Sequence, residues 1–256
     1  MELKEIERSI IKKYRKKIFS PFIKAIKEFD LIKENDKIAV CISGGKDSFL
    51  LAKCMQEILR HGKFNFELKF IVMDPGYNDE NILKIKENLK ILNIEAEIFT
   101  TPIFDIADKT DNPCYMCAKM RRGYLYNYAK SIGCNKIALG HHFDDVIETV
   151  LLNMIFTGNF GSMLPILDST NFEGMQLIRP LYYVHEDDIK SWANYNELTF
   201  LDCACKVTKK NAYKRLVIKN LVKDLKKIYD KADINIMTST KNVNLNTILG
   251  YKGNKN

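Results

Sequence analysis

The chain has 256 residues, of which 46% are hydrophobic and 28% charged, a composition that excludes an intrinsically disordered protein. No apolar run approaches the ~20 residues that cross a bilayer, and the charged N-terminus lacks the apolar core of a secretory signal, so we expect a cytoplasmic protein without a membrane partner. The net charge of +8 is concentrated in residues 1–28 and 206–230, which favours a polyanionic partner, although solvated lysine-rich helices would also produce it.

Apolar periodicity predicts an alternation of helices and strands. A helical region over roughly Leu3–Phe29 comes first. Strands are then expected at Lys37–Ile42, Leu68–Asp74, Ala96–Thr101 and Lys136–Gly140. Helices are expected at Ser48–Leu59, Asp79–Leu92, Tyr115–Ser131, Asp144–Phe156, Glu186–Asn196 and Ala212–Tyr229. Strands separated by helices predict an α/β fold with a parallel sheet and helices on both faces.

The same pattern predicts three regions along the chain. Residues 1–30 would form an N-terminal helical extension, residues 31–205 the α/β domain, and residues 206–256 a basic C-terminal helix with a partly loose tail after Asp233.

Three polar segments directly follow predicted strands: SGGKDS (Ser43–Ser48), DPGYND (Asp74–Asp79) and GHHFDD (Gly140–Asp145). Ligands bind beyond the carboxyl ends of the strands in a parallel sheet, so the three segments should converge at one edge. His141 and Asp145 are four residues apart at a predicted helix start and therefore on one face. They are expected to position metal or substrate, although helix capping and charge complementarity would also place them there.

The segment SGGKDS matches neither of two common phosphate-binding loops. A Walker A loop would need glycine at Val40 and Ser or Thr at Asp47, and the dinucleotide fingerprint is absent. What remains is a tight turn that points backbone N–H groups and a helix N-terminus at an anion. Ser43 and Ser48 would add hydroxyl donors, Lys46 a positive charge, and Asp47 a ligand for hydrated Mg²⁺. The alternative is an ordinary strand-turn-helix junction.

SGGKDS is similar to the signature of the PP-loop ATP pyrophosphatase superfamily. The resemblance implies that ATP is cleaved between its α and β phosphates, that a substrate oxygen is adenylated, and that a nucleophile then displaces AMP. It also makes the 31–205 region a PP-loop domain and implies a catalytic role for Asp47. The residues expected to bind ATP are Ser43, Gly44, Gly45, Lys46, Asp47, Ser48, Asp74, Gly140, His141 and Asp145.

Seven cysteines in a cytosolic setting argue against a disulfide framework. Apolar sequence predicts core positions for Cys41, Cys54 and Cys134. The other four are Cys114, Cys117, Cys203 and Cys205. The C-x-x-C spacing of the first two, at a predicted helix start, lets both sulfurs reach one metal. A four-thiolate zinc, a redox pair and a three-thiolate [4Fe-4S] cluster all remain open.

The chain resembles the tRNA 2-thiocytidine synthetase (TtcA-type) family over roughly residues 20–225. The matching segments are IKEFDLIKENDKIAVCISGGKDS, CYMCAKMRRGYLYNYAKSIGCNKIALGHHFDDVIETVLLNMIFTG and IRPLYYVHEDDIKSWA. The resemblance implies a [4Fe-4S] cluster on Cys114, Cys117 and a third cysteine. Where the family has C-x-x-C-G this chain has C-x-C-K, and Cys203 is expected to be that ligand, with Cys205 as the alternative.

The resemblance implies ATP-dependent thiolation of tRNA, most simply of a cytidine in the anticodon loop. ATP with Mg²⁺ would adenylate the base carbonyl oxygen, and the cluster ligands Cys114, Cys117 and Cys203 would serve the sulfur-insertion step. The sulfur would come from a cysteine desulfurase system or from sulfide, and a homodimer is expected by analogy. The alternative is a related enzyme that transfers or removes sulfur on a tRNA uridine or a free thionucleobase.

Overall fold

In the computed structural model the described residues are 2–62, 65–107, 113–201 and 209–250. Their strands form one six-stranded sheet in the order β3-β2-β1-β4-β6-β5. The strands are β1 (Lys37–Ile42), β2 (Glu67–Asp74), β3 (Ala96–Thr100), β4 (Lys136–Ala138), β5 (Ile166–Asp168) and β6 (Gln176–Ile178). All neighbouring strands pair in parallel except β5, which is antiparallel to β6. The predicted α/β fold with a parallel sheet is confirmed.

Helices connect the strands and extend beyond the sheet at both chain ends. They are α1 (Leu3–Ile11), α2 (Ser20–Glu28), α3 (Lys46–His61), α4 (Asp79–Ile91), α5 (Ile103–Ala107), α6 (Pro113–Ser131), α7 (Phe143–Thr157), α8 (Glu186–Tyr195), α9 (Lys209–Ile228) and α10 (Ala232–Ser239). A π-helical segment, Arg15–Phe19, lies between α1 and α2.

Local sequence accounts for several of these elements. Every residue of β1 after Lys37 is buried, as expected for an apolar run in the centre of a parallel sheet. Helix α4 begins where the side chain of Asn78 accepts a hydrogen bond from the Asn81 N–H, at 3.0 Å, and acidic residues occupy its first turn. The four predicted strands and the helices between them are confirmed to within three residues at each end.

Four elements were not predicted: β5, β6, α5 and α10. Strands β5 and β6 have only three residues each, too few for an alternating pattern to stand out. The five-residue α5 is also short. Helix α10 begins the tail that was expected to be partly loose, and it is held by an ion pair between Lys226 and Asp233 and by burial of Met237.

Three of the cysteines lie in the core, as predicted. Cys41, Cys54 and Cys134 are at most 7% exposed. Burial raises the pKa of the Cys134 thiol to about 11, and it raises the pKa of the other two further. These thiols therefore stay protonated and do not act as nucleophiles or metal ligands.

The chain divides into two compact units. The first contains Met1–Asp144 and Leu164–Lys209, which include the whole sheet, and the second contains Asp145–Met163 and Lys210–Asn256. The regional boundaries expected from sequence remain predictions. None of the described helices is both long and apolar enough to cross a membrane.

Candidate active site

The turn between β1 and α3 contains two adjacent glycines, and the fold requires glycine at only one of them. Gly44 has a φ of +91°, and a Cβ there would lie 2.8 Å from Leu201 Cδ1 and 3.0 Å from Ile85 Cγ1, so backbone and packing both require glycine. Gly45 has an ordinary extended backbone, with φ −83° and ψ 160°. The nearest atoms to a Cβ there are 3.8 Å away, so the fold itself does not require glycine at this position. The space at Gly45 suits close approach of a bound anion to the backbone.

The two serines of the turn mainly hold its shape. Ser48 Oγ donates to the carbonyl of Gly45 at 2.8 Å and accepts from the Ser43 N–H at 3.1 Å. Ser43 Oγ lies 3.3 Å from the same hydroxyl. The first N–H groups of α3 have no partner within the helix, as at every helix start, so this braced turn presents them beside Gly45.

The lysine of the turn is placed between two carboxylates. Lys46 Nζ lies 3.2 Å from Asp47 Oδ2 and 3.3 Å from Glu186 Oε1. Glu186 is buried at the start of α8, where its other oxygen is 2.9 Å from Lys190 Nζ. The Glu186 N–H donates to Asp144 Oδ2 at 2.7 Å. This network ties the amino end of α8 to the turn and holds the ammonium of Lys46 beside Gly45. We call the turn Ser43–Ser48 the cradle.

One oxygen of the Asp47 carboxylate is buried and unsatisfied among the described residues. This oxygen, Oδ1, is inaccessible to solvent and has no hydrogen-bond partner there. His142 Nε2 is 3.9 Å from it, beyond hydrogen-bonding distance, and Lys46 pairs with the other oxygen, Oδ2. A buried carboxylate oxygen without a partner is costly. Carboxylate oxygens are the atoms that Mg²⁺ prefers to bind, so the arrangement fits a cation that enters the site together with a bound molecule.

The end of β4 approaches this turn closely. A Cβ at Gly140 would lie 3.0 Å from the backbone of both Asp47 and Ser48, so only glycine lets the two segments touch. The next residue, His141, accepts a hydrogen bond at Nδ1 from the Nε–H of Arg179, at 3.3 Å. Arg179 is buried directly after β6 and also donates to the carbonyl of Leu164.

The segment after β2 joins the same edge. Asp74 Oδ1 accepts from the N–H groups of Gly76, at 2.9 Å, and Tyr77, at 2.7 Å, and so shapes its own loop. The Tyr77 hydroxyl donates to the carbonyl of Ser43 at 3.4 Å. Together with the contact at Gly140, this brings the three polar segments together at the carboxyl edge of β1, β2 and β4, as their positions after strands predicted.

Asp145 and Asp144 have different surroundings. Asp145 belongs to the second unit, where its Oδ1 lies 3.8 Å from Arg215 Nη1 and its carbonyl accepts from Thr149 Oγ1 at 2.7 Å. Asp144 instead caps α8 at Glu186 in the first unit. Of the two neighbouring aspartates, Asp144 is therefore the one that contacts the network around Lys46.

Sequence reasoning missed two residues of this site, Arg179 and Glu186. Both lie in the stretch IRPLYYVHEDD, which follows a strand too short to be recognised. A strand assignment at β6 would have placed Arg179 at the same edge as the other segments, and this was the only local signal available.

Part of the predicted cysteine site can be placed. Cys114 lies in the first turn of α6, and its side chain is outside the described residues. Cys117, one turn later, is 9% exposed and belongs to the buried cluster between α6 and the sheet, which includes Met73 and Ile103. Among the described side chains, no group of three or more His, Cys, Asp or Glu could hold a metal.

Cys203 and Cys205 lie outside the described residues. The last described residue before them, Leu201, donates its N–H to the carbonyl of Gly44 at 3.1 Å. The side chain of Leu201 also packs against the Cα of Gly44, where any Cβ would collide with it. Leu201, which precedes Cys203 by two residues in the sequence, therefore lies against the turn between β1 and α3.

The chain is similar to known proteins over most of its length. The PP-loop domain family matches residues 11–225. A tRNA-cytidine(32) 2-sulfurtransferase from Citrifermentans bemidjiense is 36% identical over 225 residues, which cover 86% of this chain and 88% of the relative. A protein of the same description from Coxiella burnetii is 34% identical over 250 residues, covering 94% and 95% of the two chains.

A solved structure shares the fold. The U34-tRNA thiolase NcsA from Methanococcus maripaludis, determined with its [4Fe-4S] cluster, superposes with a TM-score of 0.69 at 24% identity, covering 87% of this chain and 76% of the thiolase. From its domain match and its relatives, the chain belongs to the tRNA-cytidine(32) 2-sulfurtransferase family of PP-loop proteins.

Proposed function

We propose that this protein is an ATP-dependent tRNA sulfurtransferase that converts cytidine 32 of the anticodon loop to 2-thiocytidine, the position that its relatives are named for. The observation that carries the proposal is the hydrogen bond from the Leu201 N–H to the Gly44 carbonyl, because Leu201 precedes Cys203 by only two residues in the sequence and lies against the nucleotide-binding turn. Activation by ATP and insertion of sulfur must act on the same carbon atom, so the two sites have to be neighbours.

The cradle supplies what the ATP phosphates require. The N–H groups in the first turn of α3, which lack partners within the helix, and the open space at Gly45 would accept the pyrophosphate portion. Lys46, held by Glu186 at 3.3 Å, adds a positive charge beside it. The unsatisfied Oδ1 of Asp47 fits Mg²⁺, which would neutralise phosphate charge when bound.

The reaction follows from this arrangement. The carbonyl oxygen of the base attacks the α-phosphorus of ATP, the bond to the bridging oxygen breaks, and pyrophosphate leaves. The N–H groups and Lys46 stabilise the charge that develops on the pyrophosphate. Sulfide then attacks the adenylated carbon, and the original oxygen leaves with AMP, so that sulfur replaces oxygen without net oxidation.

We propose Cys114, Cys117 and Cys203 as ligands of a [4Fe-4S] cluster, with Cys205 as the alternative third ligand. Thiolates are the usual donors to such clusters, and the cluster would deliver the sulfur as sulfide.

The substrate tRNA is the proposed macromolecular partner. A cysteine desulfurase system or free sulfide would renew the sulfur, and the protein would act in the cytoplasm, where tRNA and ATP are both present. A homodimer is proposed as the assembly. The positive net charge of +8 supports an RNA partner.

The test is anaerobic reconstitution of the full chain with iron and sulfide, followed by reaction with unmodified tRNA and ATP. We expect about four irons per chain, one AMP per thiolated tRNA, and 2-thiocytidine in the nucleoside digest by mass spectrometry. Cys114→Ala should abolish thiolation while ATP binding persists. Cys54→Ala, a control in the core, should retain thiolation. Stoichiometric zinc without iron would refute the cluster, and 2-thiouridine in place of 2-thiocytidine would refute the substrate.

A further inference from the structure

The N-terminal segment of the first unit carries charge of one sign. From Arg8 to Lys27 the chain has eight Lys and Arg and no Asp or Glu. A solvated helix face normally mixes both signs, because like charges close together on a helix repel. This segment therefore creates a positive field that no carboxylate within the segment offsets.

The packing of this segment turns its cations to solvent. Its buried anchors recur at every fourth residue: Ile6, Ile10, Tyr14, Ile18, Phe22 and Ile26. An α-helix has 3.6 residues per turn, so a spacing of four would drift around its surface. The π-helical segment Arg15–Phe19 takes up the difference, with the Phe19 N–H bonding to the Tyr14 carbonyl five residues back at 3.4 Å.

We call the exposed cations between these anchors the basic ridge; they are Lys12, Lys13, Arg15, Lys16 and Lys17. Lys13 Nζ lies 3.2 Å from the ring centre of Tyr195. Lys17 pairs with Asp188 at 3.0 Å, but its side chain is still 65% exposed. No carboxylate of the described residues lies within ion-pair distance of the other three.

The basic ridge runs toward the nucleotide cradle. At its start, the Tyr14 hydroxyl donates to the Ser191 carbonyl in the body of α8, at 2.9 Å. At its end, Lys17 reaches Asp188 in the first turn of the same helix. Two residues before Asp188 is Glu186, whose carboxylate lies 3.3 Å from Lys46 of the cradle. The ridge thus approaches the end of α8 that borders the site of adenylation.

We propose that the basic ridge binds backbone phosphates of the tRNA beside the reacting nucleotide, an inference that rests on the proposed function. A base that reaches the cradle brings its flanking phosphates past the amino end of α8, where the ridge ends. The cations are spread over more than a turn of helix rather than converging on one point, so they suit an extended polyanion better than a single small anion. Such contacts release counterions and make binding sensitive to salt.

The test compares tRNA binding by the full chain and by Arg15→Ala/Lys16→Ala/Lys17→Ala over a series of salt concentrations. Each lost phosphate contact reduces the slope of log K against log salt by about 0.7–0.9. Three contacts therefore predict a slope smaller by about 2–3 and affinity weaker by about a hundredfold near 0.15 M salt. Thiolation should show a raised KM for tRNA, while ATP binding stays unchanged because the cradle is intact.

The matched control is Lys33→Ala/Lys37→Ala/Lys90→Ala, which removes the same charge at the amino edge of the strands. It should bind tRNA within about twofold of the unaltered chain, since these lysines lie at the start of β1 and the end of α4, at the strand edge opposite the nucleotide-binding turn. If the ridge variant behaves like this control while the unaltered chain thiolates tRNA, the ridge proposal is wrong and the function stands.

Two further results separate the remaining cases. If the unaltered chain neither binds nor thiolates tRNA, the proposed function fails and the ridge proposal fails with it. Should thermal unfolding reveal that the triple variant is not folded, Lys16→Ala carries the test alone. It is then expected to weaken tRNA binding about fivefold near 0.15 M salt, and an unchanged affinity would overturn the proposal.

Discussion

Alanine substitutions at Gly44 and Gly45, the two adjacent glycines of the turn after β1, should change different properties. The first should lower the stability of the fold, and the second should lower the affinity for ATP. Gly44→Ala would place a residue at φ +91° with its Cβ 2.8 Å from Leu201. The left-handed backbone costs about 1–2 kcal/mol, and the collision adds to it. Gly45→Ala enters an extended conformation with no atom closer than 3.8 Å, so we expect its unfolding free energy to stay within about 1 kcal/mol of the original value.

The Gly45→Ala variant, although stable, should bind ATP poorly. Its new methyl group would occupy the space in which the anion approaches the N–H groups of α3, so we expect ATP affinity to fall at least about tenfold, which corresponds to about 1.4 kcal/mol. Urea unfolding and calorimetric titration with ATP measure the two effects separately. Wild-type ATP affinity in a folded Gly45→Ala protein would refute the anion site, and equal loss of stability in both variants would refute the distinction between the glycines.

Three further predictions concern charged groups. Asp47→Asn should raise the Mg²⁺ concentration for half-maximal activity at least about tenfold, because it changes the unsatisfied oxygen that would bind the cation; an unaltered Mg²⁺ titration would contradict this. The same change removes the partner charge of Lys46, a partly exposed pair at 3.2 Å, so stability should fall by about 1 kcal/mol or less. Arg179→Lys should release the His141 ring from its Nε2–H tautomer and lower kcat, because lysine keeps the charge but cannot donate in the same way; nitrogen NMR of a histidine-labelled protein would show an unchanged tautomer if the idea is wrong. Glu7→Gln should cost about 3–5 kcal/mol near pH 7, since it removes the carboxylate 2.7 Å from the fully buried Lys53; chemical unfolding at several pH values measures this.

The pH dependence of the last variant has a definite sign. Burial acts to raise the pKa of Glu7, but hydrogen bonds from Arg60 and Lys53 outweigh it and hold the pKa below its ordinary value of 4.5. A carboxyl group whose pKa is depressed in the folded state stabilises the fold at pH values above its pKa in the unfolded state. This stabilisation is lost as the pH falls through the pKa of the folded state. The difference between Glu7→Gln and the original protein should therefore shrink below pH 4.5, and a constant difference would contradict the ion-pair explanation.

The parts of the fold that were predicted correctly have local causes. The apolar run of β1 and the glycine turn after it lie within a few residues of each other, so they can be recognised without knowing the rest of the molecule. Strand β6 could not be recognised, because its partners β4 and β5, rather than its own three residues, stabilise it. The π-helical segment likewise looks like plain helix in the sequence, although the spacing of its buried anchors departs from 3.6 residues.

The sequence by itself determined the class of fold and the place of the glycine turn, because each depends on patterns among neighbouring residues. It also predicted that three polar segments meet at one strand edge, because each of them directly follows a strand of a parallel sheet. Only the tertiary structure decided that Asp144 rather than Asp145 caps α8, since consecutive residues of a helix point about 100° apart and the direction of the helix selects between them. It also decided that Glu186, 140 residues from Lys46, would hold that lysine. Contacts between distant segments follow from how whole elements pack, which no short stretch of sequence records.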